Sequence, residues 1–275
     1  MRIARTIAEL NAALDLLGAV RLVPTMGALH AGHLALLAAA RADGGPTAAS
    51  IFVNPLQFGP AEDFSAYPRD EAGDLQKLEA GGCDLVWLPD PATMYPPDAV
   101  TTVTVAGPAT GWEGELRPGH FAGVATVVAK LFGQVRPRAA YFGEKDWQQV
   151  QVVTRMVTDL RLPVEIVPVP TVREPDGLAL SSRNRFLLPE EREVAPALHR
   201  ALRTAATTVE AGGTIEDALA VGRNVLRRAG LIPDYFAYVD ATSLAPLTAK
   251  RSPARLLAAV KLGAIRLLDN VAVAP

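Results

Sequence analysis

The chain is almost without cysteine. Cys83 stands alone among 275 residues, so no intramolecular disulfide can form, a usage that fits a reducing cytoplasm. Histidine is nearly as scarce: His30, His33, His120 and His199 are the full set. With no cysteine cluster beside them, a conventional metal site has too few ligands. An excess of one charge is lacking too. Lys and Arg number 27 against 29 Asp and Glu, for a formal net charge of −2. No long basic block occurs, which argues against a dedicated nucleic-acid binder. No apolar run reaches the roughly 18 residues of a membrane span. Arg2 and Arg5 precede Ile7, Leu10, Leu14 and Leu17, but Glu9 and Asp15 interrupt that run. It reads as an amphipathic helix and not as a signal peptide. Both common nucleotide loops, Gly-x-x-x-x-Gly-Lys-Ser/Thr and Gly-x-Gly-x-x-Gly, are missing as well.

What is present is a large apolar fraction, 49%, enough to fill the core of one large domain or two small ones. The first two-thirds alternate in type. Val20–Thr25, Ala48–Asn54, Leu85–Leu88, Ala139–Phe142 and Val164–Val169 read as strands, several of them without polar alternation, as strands buried on both faces should be. His33–Arg41, Asp70–Ala80, Gly123–Val135 and Trp147–Leu160 read as helices between them. This order predicts an α/β fold with a parallel sheet and right-handed crossovers. Thr101–Val105, which alternates threonine and valine, is expected as an extra edge strand, and the Gly- and Pro-rich stretch Gly107–Phe121 as an ordered loop or flap. After Pro170 the character changes. Helices are expected over Pro189–Val209 and Thr214–Ala229, then strands over Asp234–Val239 and Leu256–Leu268, the latter bent at Lys261-Leu262-Gly263. The division is thus residues 1–171 and a smaller α+β domain, 172–275.

The run Pro24-Thr25-Met26-Gly27-Ala28-Leu29-His30-Ala31-Gly32-His33 joins a buried strand to a helix. A helix start offers backbone N–H groups and a positive dipole end, and two imidazoles add donors; together they suit phosphate. Gly32, lacking Cβ, lets a nucleotide approach the helix start closely. The competing readings are a His-x-x-His metal pair, for which ligands are too sparse, and histidines that merely pack or cap. Arg173 to Asn184 is a second constellation: Ser181, Ser182, Arg183 and Asn184 on a loop with the turn signal Pro175-Asp176-Gly177 suit a mobile phosphate clamp, or else a capping loop with a surface salt bridge. Gly143 to Gln149 is the third. Lys145 can neutralise phosphate, and Asp146 can accept from ribose hydroxyls or cap a helix. Gln57 and Gln149 are neutral amides near strand ends, able to orient a small polar substrate or simply to bond within their loops. The histidine turn, the Asn54–Phe58 turn and the Gly143–Gln149 turn all follow strands, and in parallel sheets ligands collect beyond the strands' carboxyl ends. The expectation is that these three converge on one crevice.

These motifs resemble those of pantothenate synthetases (pantoate–β-alanine ligases). That family carries Pro-Thr-Met-Gly-x-Leu-His-x-Gly-His, matched by Pro24–His33; Phe-Val-Asn-Pro-x-Gln-Phe, matched by Phe52–Phe58; and Tyr-Pro-Arg, matched by Tyr67–Arg69. Arg-Pro-Gly-His-Phe is matched by Arg117–Phe121, Tyr-Phe-Gly-Glu-Lys-Asp-x-Gln-Gln by Tyr141–Gln149, and Ser-Ser-Arg-Asn by Ser181–Asn184. The resemblance implies a Rossmann-like nucleotidyltransferase domain with a small C-terminal lid, a homodimer, Mg²⁺, and a two-step reaction. ATP and pantoate give pantoyl adenylate and pyrophosphate; β-alanine then gives pantothenate and AMP.

It also implies roles. His30, His33, Lys145, Ser181, Ser182 and Arg183 contact the phosphates and stabilise the transferring group. Met26, Gly32, Gly143, Asp146, Val172 and Leu180 contact the nucleotide, with Met26 also near pantoate. Gln57, Gln149, Phe58, Val127 and Val128 hold pantoate. Asn54, Glu113 and Arg117 line the side of the second substrate, and Asp74 touches Mg²⁺. Three positions depart from the family pattern: Leu180 and Leu56 stand where methionine is frequent, and Trp147 where tyrosine is usual. Swaps that keep volume and apolarity cost under about 1.5 kcal/mol; the tryptophan is the least conservative. Rival readings are an adenylyltransferase that stops after AMP transfer, a fragment of an aminoacyl-tRNA synthetase, against which the lack of a basic anticodon-binding region argues, and a non-catalytic nucleotide-binding protein.

Overall fold

A computed structural model describes residues 1–59, 64–65 and 67–275. The chain forms two units: residues 1–143 with 152–170, and residues 144–151 with 171–275. Among the described residues no helix is long and apolar enough to cross a membrane.

In chain order the first unit contains β1 (Arg2–Ala4), α1 (Ile7–Leu17), β2 (Arg21–Thr25), α2 (Ala31–Ala42), β3 (Thr47–Ile51), α3 (Glu71–Ala80), β4 (Leu85–Trp87), the short α4 (Pro91–Met94) and α5 (Trp112–Leu116), α6 (His120–Val135) and β5 (Ala139–Gly143). α7 (Trp147–Asp159) leads back to its last strand, β6 (Glu165–Val169). The six strands make one sheet in the order β1-β4-β3-β2-β5-β6, all pairs parallel. Leu22, Val23, Ala48, Ala49, Leu85, Val86 and Trp87 are buried, which explains why these strands lack polar alternation. The chain steps from β2 through β3 to β4 on one side, then restarts at β5 on the other, so β2 and β5 flank the point where strand order reverses. β2 pairs with β3 along its whole length but with β5 only at Arg21 and Leu22. Pro24, which has no N–H to give, lies in the stretch where β2 has lost one of its two ladders.

The second unit continues with α8 (Pro189–Val194), α9 (Ala197–Glu210), α10 (Ile215–Arg228), β7 (Pro233–Asp240), β8 (Ala254–Leu262) and β9 (Ile265–Val273). The last three form an antiparallel sheet in the order β7-β8-β9. Ala201, Leu202, Ala205, Ala206 and Val209 of α9 pack with Leu256, Ala258 and Val260 of β8 and with Phe236 and Tyr238 of β7.

The α/β reading holds, and four local expectations are corrected. Thr101–Val105 is not a strand; Val103 N–H donates to Thr126 Oγ1 of α6 at 2.9 Å. Its alternation records half-burial of Val103 and Val105 between exposed threonines, and not a sheet ladder. Gly107–Phe121 is largely helical, its glycines acting as junctions: Gly111 and Gly119 adopt φ of 69° and 83° at the starts of α5 and α6. The helix expected over 189–209 is two, because Pro196 cannot continue the first. Leu256–Leu268 is not one bent strand. It spans most of a hairpin in which Leu262 pairs with Ile265 across a two-residue turn. The three-residue β1 escaped the sequence reading altogether.

Candidate functional site

The histidine turn follows the carboxyl end of β2, beside the reversal point. It is built on two left-handed residues, Gly27 at φ 82° and Ala28 at φ 50°. A buried carboxylate holds that conformation: Asp74 of α3 accepts from Ala28 N–H and Leu29 N–H, both at 2.7 Å, and is 1% exposed. A Cβ on Gly27 would meet Asp74 Oδ2 at 3.0 Å and Ile51 Cγ2 at 3.2 Å, so glycine is required by space as well as by φ.

α2 starts with a capping box made of imidazoles. His30 is the N-cap; its Nδ1 accepts from Gly32 N–H at 3.1 Å, and His33 Nδ1 accepts from His30 N–H at 3.3 Å. The rings lie 4.1 Å apart, tilted by 39°. The capping reading is therefore correct, and it favours the functional one. Both rings sit at a helix N-terminus, where anions are favoured.

Asp74, the residue expected at Mg²⁺, has a structural task in this turn. Both oxygens are engaged by backbone N–H groups, and Lys77 Nζ sits 3.6 Å from Oδ1. No cluster of three or more His, Cys, Asp or Glu suited to a metal occurs among the described residues.

The turn after β3, Pro55–Gln57, is placed by Asn54, which is 1% exposed. Asn54 Nδ2 donates to Gly123 O at 3.0 Å and to Gln57 Oε1 at 3.1 Å, while its Oδ1 accepts from Tyr95 Oη at 2.8 Å. The Asn54 amide is engaged within the protein, and it orients Gln57. Gln57 Nε2 in turn donates to Met26 Sδ at 3.0 Å, which brings Gln57 to the histidine segment. Arg117 Nη2 donates to Gln57 O at 3.4 Å, and His120 Nδ1 lies 2.9 Å from the same carbonyl. Glu113 is buried in α5, and Val127 and Val128 are buried in α6. Phe58 packs edge-on against Phe64 and Tyr67 at 5.3 and 5.7 Å. Sequence reasoning missed Gly123. A Cβ there would overlap the Leu56 carbonyl and stand 2.8 Å from Gln57 N, so only glycine lets α6 approach the Gln57 turn. The signal was a glycine inside an otherwise apolar helix.

Gly143, the last residue of β5, has no protein atom within 4 Å of where a Cβ would stand. In the second unit, Glu144–Asp146 form one 3₁₀ turn before α7. Lys145 Nζ pairs with Asp146 Oδ1 at 3.2 Å. Gln148 is buried and Gln149 half-buried. Val172 O accepts from Leu180 N–H at 3.0 Å. Ser181 caps a 3₁₀ helix over Ser182–Phe186, its Oγ accepting from Arg183 N–H at 3.3 Å.

The base of this serine loop is anchored. Arg173 bridges to Ala179 and donates through both Nη atoms to Asp269, at 2.6 and 2.9 Å. Asp269 is 4% exposed, and His199 Nδ1 lies 3.5 Å from it. Burial alone would push this carboxyl up; the nearby His199 ring and the two hydrogen bonds from Arg173, with the guanidinium's charge, outweigh it and hold the pKa below the usual carboxylate range.

A family model for pantoate–β-alanine ligase matches residues 2–272. A pantothenate synthetase of Acidiphilium cryptum is 58% identical over 99% of this chain and 100% of its own length. The crystal structure of pantothenate synthetase from Thermus thermophilus superposes with a TM-score of 0.97 at 51% identity, covering 100% of both chains. That of a pantoate–β-alanine ligase from Francisella tularensis, complexed with β,γ-ATP and β-alanine, gives 0.82 at 32% identity over 99% of this chain and 97% of that one. With the histidine capping box and the Gln57 turn in place on a parallel sheet, the chain belongs to the pantoate–β-alanine ligase family.

Proposed function

We propose that this enzyme condenses pantoate with β-alanine through a pantoyl adenylate. In the first step a pantoate carboxylate oxygen attacks the α-phosphorus of ATP. The bond from that phosphorus to its bridging oxygen breaks, and pyrophosphate leaves with the electron pair. In the second, the amine of β-alanine attacks the acyl carbon, AMP leaves, and the nitrogen loses a proton. The observation that carries this reading is the imidazole capping box: two histidine rings fixed at a helix N-terminus beside the sheet's reversal point.

His30 and His33 donate to the phosphates as negative charge grows on the bridging oxygen, and Lys145, Ser181, Ser182 and Arg183 are the phosphate donors of the second unit. Such preorganised donors act without forming a covalent enzyme intermediate. Met26, Gly32, Asp146, Val172 and Leu180 contact the nucleotide; Gly143 leaves room for it, since nothing in the protein needs its missing side chain. Gln57 orients the pantoate carboxyl and hydroxyl groups with Gln149, while Phe58, Val127 and Val128 supply apolar wall. The Francisella relative's complex supports ATP and β-alanine as ligands. Magnesium, in this reading, arrives with the nucleotide, and Asp74 is the residue expected to contact it. The reading includes a cytoplasmic homodimer; Cys83, whose thiol burial pushes up to about 11, is suited to stay reduced there.

ATP–pyrophosphate exchange tests it. Exchange is expected only with pantoate present, and free AMP is expected only after β-alanine is added. Exchange without pantoate, or AMP retained in the final product, would replace this reading with a simple adenylyltransferase.

A further inference from the structure

We propose that Asn270 is a positioning residue for Lys145, acting through the backbone of the Glu144–Asp146 turn. The proposal rests on the phosphate role given to Lys145 above. Asn270 lies on β9, opposite Leu257 of β8, and is 4% exposed. Its Nδ2 donates to Glu144 O at 2.8 Å and to Lys145 O at 2.9 Å, so both amide hydrogens are used on the two carbonyls that flank the Lys145 peptide. Its Oδ1 accepts from Arg255 Nη1.

Arg255 extends the grip. Its Nη2 donates to Glu144 Oε2 at 2.7 Å, and its guanidinium carbon lies 3.6 Å from the centroid of a Trp147 ring. Trp147 Nε1 donates to Ala241 O at 2.7 Å. The turn that carries Lys145 is thus fixed by side chains from β8 and β9 and by a carbonyl just past β7. Asn270 is the member that touches the Lys145 backbone itself.

The chemistry of the amide is specific. An ionised aspartate has acceptors only and would face two carbonyl oxygens with a carboxylate. The lysine ammonium sits on a flexible four-carbon stem, so its aim depends on the peptide that roots it. A displacement of about 1 Å at a catalytic group costs on the order of 100-fold in rate.

The test compares wild type with Asn270→Ala, Asn270→Asp, Asn270→Ser, Lys145→Ala and the Asn270→Ala/Lys145→Ala double variant, each confirmed folded by thermal unfolding. Pantoate-dependent ATP–pyrophosphate exchange is the readout. Asn270→Asp is expected to lose roughly 30- to 100-fold in kcat/KM for ATP, with KM for pantoate within about twofold of wild type. Asn270→Ser, which keeps one donor, recovers part of the loss and stands in if the aspartate variant does not fold. In the Lys145→Ala background, Asn270→Ala is expected to cost under about twofold, because the amine it aims is gone. Multiplicative losses in the double variant would overturn the proposal, as would wild-type kinetics for Asn270→Ala. Near-wild-type exchange by Lys145→Ala alone would instead remove the role of Lys145, and this inference with it.

Discussion

The two units solve one problem with opposite polarity. In the first, a buried carboxylate, Asp74, accepts two backbone N–H groups of the turn that presents His30. In the second, a buried amide, Asn270, donates to two backbone carbonyls of the turn that presents Lys145. Backbone conformation sets the choice. Left-handed residues at Gly27 and Ala28 expose successive N–H groups, which call for an acceptor; the 3₁₀ turn at Glu144–Asp146 exposes C=O groups, which call for a donor. In both cases the partner comes from far along the chain. Buried polar groups left unmatched cost about 1–3 kcal/mol each, so each anchor fixes its turn to one arrangement.

The largest effect is expected where the presented group itself is removed while its scaffold is kept. His33→Asn retains an acceptor near the position of Nδ1, so the cap on His30 N–H survives, but it deletes Nε2. Pyrophosphate exchange should fall by about 100-fold or more, about 3 kcal/mol of transition-state stabilisation, with the unfolding midpoint unchanged. A His33→Asn protein of near-normal turnover would show that the capping box is only structural, and the parallel with Lys145 would break.

Next in size is the loss of the second unit's other anchor. Asp269→Asn leaves the Arg173 fork without its charge partner, at a cost of roughly 3 kcal/mol in urea unfolding. Because native Asp269 has a lowered pKa, its contribution is fully present above the ordinary carboxylate range and is lost as pH falls through the native value. Wild-type stability should therefore decline on acidification more steeply than that of Asp269→Asn. Equal acid limbs would mean that the Arg173–Asp269 pair does not hold the serine loop. Asp74→Asn should cost less, about 2 kcal/mol, since one N–H keeps its acceptor and the other meets an amide N–H₂. Exchange should weaken with it as the histidine turn relaxes. If Asp74→Asn lost stability but kept full turnover, the carboxylate would be a fold element without influence on His30, and the likeness to Asn270 would fail.

The histidine turn was legible in the sequence because every part of its chemistry is local. Strand, glycine turn, helix start and both imidazoles lie within Pro24–His33. The parallel strands were legible too, as apolar runs of the right length. Asp74, Gly123 and Asn270 show where local reading stops. The sequence carries no sign that Asp74 accepts the backbone N–H groups of residues 28 and 29. Asn270 drew no notice since its targets lie more than a hundred residues earlier. Yet a signal existed: Arg255, Asp269 and Asn270 interrupt the apolar pattern of β8 and β9, and buried polar residues need partners. The hairpin itself was misread as one strand because the turn is only two residues long and Leu262 and Ile265 continue the apolar run on either side.

The smallest effect sharpens the comparison most. Trp147→Tyr keeps an aromatic ring at this position. The indole N–H bond to Ala241 O, 2.7 Å in this chain, would be lost, at about 1 kcal/mol. The phenol ring keeps a face for Arg255, a contact worth somewhat less than with tryptophan. Asn270 still holds the Glu144 and Lys145 carbonyls, so exchange should stay within about threefold of wild type while the unfolding midpoint drops slightly. That pattern would separate the two neighbours of the turn: Trp147 packs beside it, and Asn270 bonds to it. A loss of turnover as large as that of Asn270→Asp would instead mean that ring packing aims Lys145. The second unit would then hold its turn by a stacked cation and indole, with no counterpart to the carboxylate of the first.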